Sequence, residues 1–342
     1  MPNNSTKILF LMTLISGVLI SLSANSWLGA WMGLEINMLS FIPLLISNKN
    51  LLSSEASIKY FLIQVIASSS FLFLILLKTN SIEMFVFMGE SNWSNLITIP
   101  FLLKIACAPF HWWLPSVMEG ISWINCFIIL SIQKIAPLML ISYIMINNLF
   151  TQFVILSSAI IGAIGGLNST SLRKIISFSS INHLGWLLST LILGINLWFL
   201  YFMIYSVNIA MIITFLSINF LSYIPQTFNS INTKKIVKFC LFISLMSLGG
   251  LPPFLGFFPK WISMQFMINN SMNLLVLMLV ISSLLTLFYY LRIMFSTLMI
   301  SNSELMWMYS SLLKHKYSKT LMLSITFIIL GISLNTLMIL IY

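Results

Sequence analysis

Apolar runs of about 20 residues recur along the whole chain, and each is the length a helix needs to cross the roughly 30 Å hydrocarbon core of a bilayer. On that ruler the sequence predicts spans over 8–24, 26–46, 57–78, 94–120, 122–146, 149–168, 174–193, 195–222, 236–267, 274–300 and 320–341. A short amphipathic piece, Ile82–Met88, falls between the third and fourth runs and reads as lying at the interface. Composition bears on the argument in one way. With 59% of the 342 residues apolar and only 6% charged, the chain lacks the polar surface to stay in water, so its solvent is lipid. The net charge of +10 does not indicate nucleic acid, because the basic residues stand singly or in twos and threes between apolar runs. That pattern is one of membrane topology.

The stretch 236–268 contains Gly249, Gly250, Pro252, Pro253, Gly256 and Pro259, and reads as one broken span or two short ones. Charge decides. Counted as one span, it places Lys7, Lys49, Lys59, Arg173, Lys174, Lys234, Lys235, Lys238, Lys314, Lys316 and Lys319 on one side, with Lys78 opposite beside Glu83 and Glu90. Two spans would throw the last three lysines across. The expected fold is therefore an all-α polytopic membrane protein of eleven transmembrane helices. Its N-terminus lies on the positive (matrix or cytoplasmic) side and its C-terminus opposite.

The fourth span is also interrupted, by Pro109 and Pro115, and this suggests an internal order within a single membrane domain of 1–342. Helices one to five (8–146) and six to ten (149–300) form two five-helix units, each with a discontinuous fourth helix, followed by a C-terminal helix over 320–341. An odd number of helices turns the second unit upside down, the inverted-repeat plan of secondary transporters. Two unrelated kinks in a polytopic chain are the plainer alternative.

An ionised side chain at the bilayer centre costs at least about 2.5 to 3.5 kcal/mol, which makes it a functional candidate. Glu35 lies in the middle of helix two, Lys104 just before the break in helix four, Lys134 at the centre of helix five, and Lys260 just after the break in helix nine. Snorkelling or static pairing is the bland reading of each. Snorkelling fails for Lys134, which stands about 18 Å from either helix end, roughly three times the reach of its stem. Burial penalises the charged forms of lysine and glutamate alike, so both become exchangeable with a proton. A Glu35 carboxylate at 4 Å from Lys104 would hold that lysine charged by about 4 kcal/mol at an effective dielectric of about 20, and separating the pair would push the proton onward. His111 in the fourth-helix break and His183 in helix seven extend the line, His183 at the position of the second unit that corresponds to Glu35. A lone membrane histidine is also often a satisfied interhelical hydrogen bond.

Other residues are assigned no chemistry. Trp112, Trp113 and Trp123 read as interface anchors, Arg292 as a snorkelling cation, and Glu119 receives no role. Cys107, Cys126 and Cys240 lie apart without CxxC spacing, which gives no metal or iron-sulfur site and marks them as packing residues. No small-residue cleavage site follows the first apolar run, so that run is expected to stay as a helix. Fourteen Lys against two Arg, abundant Asn without Asp, and 22 Met suggest an A+T-rich, organelle-encoded gene.

Four stretches together carry a family resemblance: Gly33-Leu34-Glu35-Ile36-Asn37; Leu103-Lys104 through Ala108-Pro109-Phe110-His111-Trp112-Trp113-Leu114-Pro115; Gln133-Lys134-Ile135-Ala136-Pro137; and Gly249-Gly250-Leu251-Pro252-Pro253 through Phe258-Pro259-Lys260-Trp261. Over essentially its whole length the chain resembles the antiporter-like proton-pumping subunits of NADH:ubiquinone oxidoreductase, respiratory complex I, in their short, mitochondrially encoded animal form. The resemblance implies Glu35 and Lys104 as the input pair, Lys134 as the central relay and Lys260 as the far member of a hydrophilic axis. It implies no cofactor in this chain, with NADH, FMN, iron-sulfur clusters and ubiquinone on other subunits. Its partners would be the other membrane subunits of the complex and lipids, cardiolipin among the candidates, in the mitochondrial inner membrane. The N-terminus would face the matrix and the C-terminus the intermembrane space. The short form lacks three N-terminal helices of longer relatives, which opens a face near helices one to three to a lipid or partner. Two other readings remain open: a free-standing cation/proton antiporter, which would transport alone, and a non-pumping structural subunit, which would tolerate neutralised lysines.

Overall fold

A computed structural model describes residues 4–46, 50–80, 90–230 and 235–299, with positions 331 and 336. Within these the helices are α1 (Asn4–Ser23), α2 (Trp27–Leu45), α3 (Leu51–Asn80), α4 (Glu90–Ile105), α5 (Trp113–Gly120), α6 (Trp123–Leu130), α7 (Ile132–Ser142), α8 (Leu149–Leu167), α9 (Leu172–Leu193), α10 (Ile195–Ile218), α11 (Ile224–Ser230), α12 (Lys235–Gly249), α13 (Phe257–Asn269) and α14 (Asn273–Met299). Among the described residues the one extended pairing is a bridge between Ser171 and Tyr223. The expected last span, 320–341, and the amphipathic piece Ile82–Met88 lie outside the described residues apart from single positions.

Among the described residues, eight stretches are long and apolar enough to cross a membrane: Ser5–Ser23, Trp27–Leu45, Leu51–Thr79, Trp123–Ser142, Leu149–Leu167, Leu172–Leu193, Ile195–Ile218 and Asn273–Phe295. The chain is an all-helical, multi-pass membrane protein. Its helices turn apolar faces outward, as lipid requires and water forbids. On α1 the exposed Ile8, Met12, Ile15 and Leu19 follow one helical stripe, and on α14 Leu274, Leu277, Ile281, Leu284 and Phe288 do the same. α9 is the opposite case: 89% of its span is buried, and its Ser177, Ser179, Ser180, Asn182 and His183 are covered by protein.

Two compact units divide between Ser158 and Ala159. In the first, α2 packs on α1 and α3, α3 on α4 and α5, and α7 on α4 and α1. In the second, α9 packs on α10, α13 and α14, while α12 lies against α10 and α14.

The two broken spans are present, and both break where a helix ends in a left-handed turn. α4 closes with the Cys107 N–H on the Leu102 carbonyl at 3.0 Å and the Ala106 N–H on Leu103 at 3.3 Å, Ala106 taking φ 63°. α12 closes with the Leu251 N–H on Met246 at 3.4 Å and the Gly250 N–H on Ser247 at 3.2 Å, Gly250 taking φ 82°. This is the Schellman pattern, which satisfies the last carbonyls of a helix inside a low-dielectric interior. The first break is therefore Ala106–Trp112, which contains Pro109, begins three residues before it and ends before Pro115. Pro115 sits in the first turn of α5, where a missing N–H costs nothing.

A further interruption was not legible in the sequence. The fifth span, read as one helix over 122–146, is two: α6 ends at Leu130, Ser131 takes φ −116° and ψ −77°, and α7 resumes at Ile132. Pro137 explains the location. It has no N–H to give the turn before it, and its ring crowds the carbonyl four residues back, so the helix is loosened on the N-terminal side of the proline.

Candidate functional site

In the first unit, α4 delivers Lys104 in its last turn and α7 delivers Lys134 in its first, and the side chains are 9% and 2% exposed. Both open on one small cavity, whose other polar lining is Asn37 of α2, Tyr60 and Gln64 of α3, Trp113 of α5 and Gln133 of α7. The cavity has room for about one water molecule. Polar side chains join its walls. Gln133 Nε2 donates to Asn37 Oδ1 at 3.0 Å, Gln64 Nε2 donates to the Lys104 carbonyl at 3.3 Å, and Trp113 Nε1 donates to the Leu103 carbonyl at 3.1 Å. The lysine-bearing helix end is thus satisfied by an indole and an amide, and the Lys104 ammonium is not spent on it.

Glu35 is half-buried on α2 and lies close enough to Lys104 for the two charges to interact, yet no direct ion pair joins them among the described residues. The contact pair expected at 4 Å is therefore a through-space interaction in this structure, weaker than the about 4 kcal/mol of a contact. His111 is buried in the break, with Nδ1 3.2 Å from the Pro109 carbonyl and its ring against Trp112, and it does not line the lysine cavity. Trp112 is 80% exposed, as an interface anchor should be. Trp113 and Trp123 are core residues instead, at 6% and 8%, and Trp113 packs edge-on against Tyr60.

In the second unit, Lys260 in the first turn of α13 reaches back to the end of α12. Its Nζ donates to the Gly249 carbonyl at 3.0 Å and more weakly to Leu248 at 3.4 Å, and lies 5.9 Å from the Trp186 ring centre. A cation at the negative end of a helix is well placed, and it satisfies carbonyls the break would strand. Gly250 suits this place by its positive φ, and a Cβ there would stand 3.0 Å from Lys260 Nζ and Cδ, so the lysine tip would have to give. One turn before Trp186, His183 Nδ1 is 2.9 Å from the Tyr201 hydroxyl, and Ser247 Oγ donates to Asn208 Oδ1 at 3.2 Å.

The structure thus gathers Lys104 and Lys134 around one cavity with Glu35 nearby, gathers Lys260 and His183 around α9, and leaves His111 apart. Asn37, Tyr60, Gln64, Trp113 and Gln133 were not singled out as site residues from the sequence; Asn37 and Gln133 each stand within two residues of one that was. Chemically, two ammonium groups around one small cavity repel, so a proton gained by one favours release from the other. Among the described residues no three His, Cys, Asp or Glu side chains converge as metal ligands.

Residues 24–286 match the family described as NADH:quinone oxidoreductase/Mrp antiporter, transmembrane. NADH-ubiquinone oxidoreductase chain 2 of Aedes aegypti is 48% identical over 347 residues, covering 100% of both chains. The chain 2 of Locusta migratoria is 46% identical over 314 residues, covering 91% of this chain and 90% of its own. Among solved structures, a chain of respiratory complex I from Thermus thermophilus with bound aureothin superposes with a TM-score of 0.83 at 18% identity, covering 96% of this chain and 78% of that one. A chain of the Mrp complex from Dietzia sp. DQ12-45-1b superposes at 0.73 and 19% identity, covering 84% and 59%. At such identities the structures speak for the fold alone.

Proposed function

Because the chain belongs to the NADH:quinone oxidoreductase/Mrp antiporter membrane family, we propose that it is an antiporter-like proton-translocating subunit of respiratory complex I, working in the mitochondrial inner membrane among other membrane subunits of that complex. The observation that carries this reading is the placement of two buried lysines, Lys104 and Lys134, on one polar cavity. Glu35 sets the charge state of Lys104, Lys104 exchanges with Lys134 through the amide-lined cavity, and Lys260 is the far member of the relay in the second unit. His111 and His183 are auxiliary members. NADH oxidation, flavin, iron-sulfur clusters and ubiquinone belong to other subunits, and this chain converts a signal from them into proton movement.

The relay reading is tested by Lys104→Met in the assembled complex. The variant removes the amine and keeps the backbone carbonyl that Gln64 uses. Coupled proton pumping is expected to fall by about 100-fold or more, the scale of a positioned proton-transfer group. Assembled complex with intact pumping would favour the scaffold reading.

The inverted five-helix repeat belongs to the same proposal, and a constant step of residues supports it. Gly17 on α1 leaves room for the Asn37 backbone of α2, and Gly162 on α8 leaves room for that of Asn182 on α9; both steps are 145. Tyr60 beside the lysine cavity and Tyr205 beside His183 stand at the same step. In this register His183 falls three residues beyond the partner of Glu35. With 320–341 as an eleventh span, Lys174 and Lys316 face the matrix and Tyr342 the intermembrane space. Label accessibility is expected to place Lys316 and Tyr342 on opposite sides; the same side for both would restore a twelve-span count.

A further inference from the structure

α10 presents Trp198, Tyr201, Phe202 and Tyr205 as one buried stripe, and α10 packs on α9. Two of these residues enclose His183. The Tyr201 hydroxyl is 2.9 Å from Nδ1, and the Tyr205 ring lies 5.1 Å from the imidazole with the planes at 48°. All three residues are nearly covered, His183 at 7% and each tyrosine at 2% exposure. An imidazole has two different nitrogens, and the partner of one determines the protonation of the other. A phenol is a suitable fixed partner because it keeps its own proton at neutral pH and can donate or accept. A buried polar pair held this way is also rigid, since breaking it would strand both groups away from water.

We propose that Tyr201 is the positioning residue of His183: its hydroxyl oxygen accepts the Nδ1–H, which fixes the tautomer and plane of the ring and leaves the lone pair on Nε2 as the one that takes up and passes on a proton in the second unit. The balance is simple. One proton arrives at Nε2 and one leaves from it, while Tyr201 retains its own. Tyr205 closes the flank of the ring and keeps it from turning. The proposal rests on the relay role of His183 given above, and it turns a hydrogen bond that could serve packing alone into one that selects which ring nitrogen exchanges a proton.

The test is the turnover of the assembled complex carrying Tyr201→Phe, which keeps the ring and removes the hydroxyl. We expect turnover per assembled complex to fall about tenfold, the scale of one lost hydrogen bond, with KM for ubiquinone unchanged. His183→Gln should fall similarly, and the double variant should be no slower than His183→Gln, because Tyr201 acts only through His183. Where Tyr201→Phe fails to assemble, Tyr201→Gln, whose amide can still meet Nδ1, is expected to assemble and turn over faster than His183→Gln. Unchanged turnover in Tyr201→Phe, a loss confined to the amount of complex, losses that multiply in the double variant, or a Tyr201→Gln no faster than His183→Gln would each overturn the proposal. Lys104→Met separates the levels: if it stalls pumping while Tyr201→Phe does not, only the positioning role is lost, and if it leaves pumping intact the relay reading falls first.

Discussion

Lys134→Met is expected to leave the amount of assembled complex near wild type while ubiquinone reduction and proton pumping fall together by about 100-fold or more, the scale on which a positioned proton-transfer group acts. Methionine matches the length and apolarity of the lysine stem, so the packing of a side chain only 2% exposed is kept and a costly buried amine is removed. The Gln133–Asn37 bond beside it does not involve the substituted side chain. Backbone freedom is concentrated here. Ser131 interrupts the helix three residues before, the Lys134 N–H turns back to the Ser131 carbonyl at 3.1 Å, and Pro137 follows three residues on. A lysine at such a joint can be hydrated and can swing, which suits a relay better than a strut. Lys134→Arg should rescue poorly, because a guanidinium keeps the charge and does not give up its proton. Assembled Met variant with unchanged pumping would remove the relay role and leave the scaffold.

Much of this site is readable in the sequence for one physical reason: a charge in a membrane is so costly that its presence is informative by itself. Glu35, Lys104, Lys134 and Lys260 needed no neighbours to be noticed, and the Gly and Pro clusters announced the two helix breaks. What could not be read is what depends on assembly. Asn37, Tyr60, Gln64 and Gln133 look like scattered polar residues along three helices, and only the packing of α2, α3 and α7 with α4 makes them walls of one cavity. Trp113 and Trp123 have the composition of interface anchors, but Trp113 is enlisted to satisfy the Leu103 carbonyl at a buried helix end. The same accounting explains Lys260. It was legible as a relay candidate, while its second task, capping the Gly249 and Leu248 carbonyls, follows from where α13 re-enters beside α12. The break at Ser131 escaped because serine is unremarkable in a membrane helix and the disturbance from Pro137 is displaced toward the N-terminus.

The capping of α12 leads to the largest expected structural effect, that of Gly256→Ala. Gly256 has φ −69° and ψ −15°, a conformation any residue adopts, so its need for glycine is one of space alone. A Cβ there would overlap the Ser247 carbonyl, a backbone atom that cannot swing aside as a side-chain tip can. That carbonyl accepts the Gly250 N–H at 3.2 Å within the turn that ends α12, and the Ser247 hydroxyl is tied to Asn208 at 3.2 Å. Moving it would open the turn and disturb the carbonyls on which Lys260 rests. Overpacking a fitted interior costs about 1 to 3 kcal/mol even when side chains can yield, and here they cannot, so the variant should sit at or above the top of that range. Assembled complex is expected to fall below about a tenth of wild type, as a loss of that size implies for a marginally stable membrane unit. Gly249→Ala is the matched control. Its Cβ would meet the Tyr290 ring at 3.5 Å and Leu287 at 3.6 Å, ordinary contact, and it should assemble normally. If Gly256→Ala assembled as well as Gly249→Ala, the close approach of the two halves of the broken helix would not be what holds Lys260 in place.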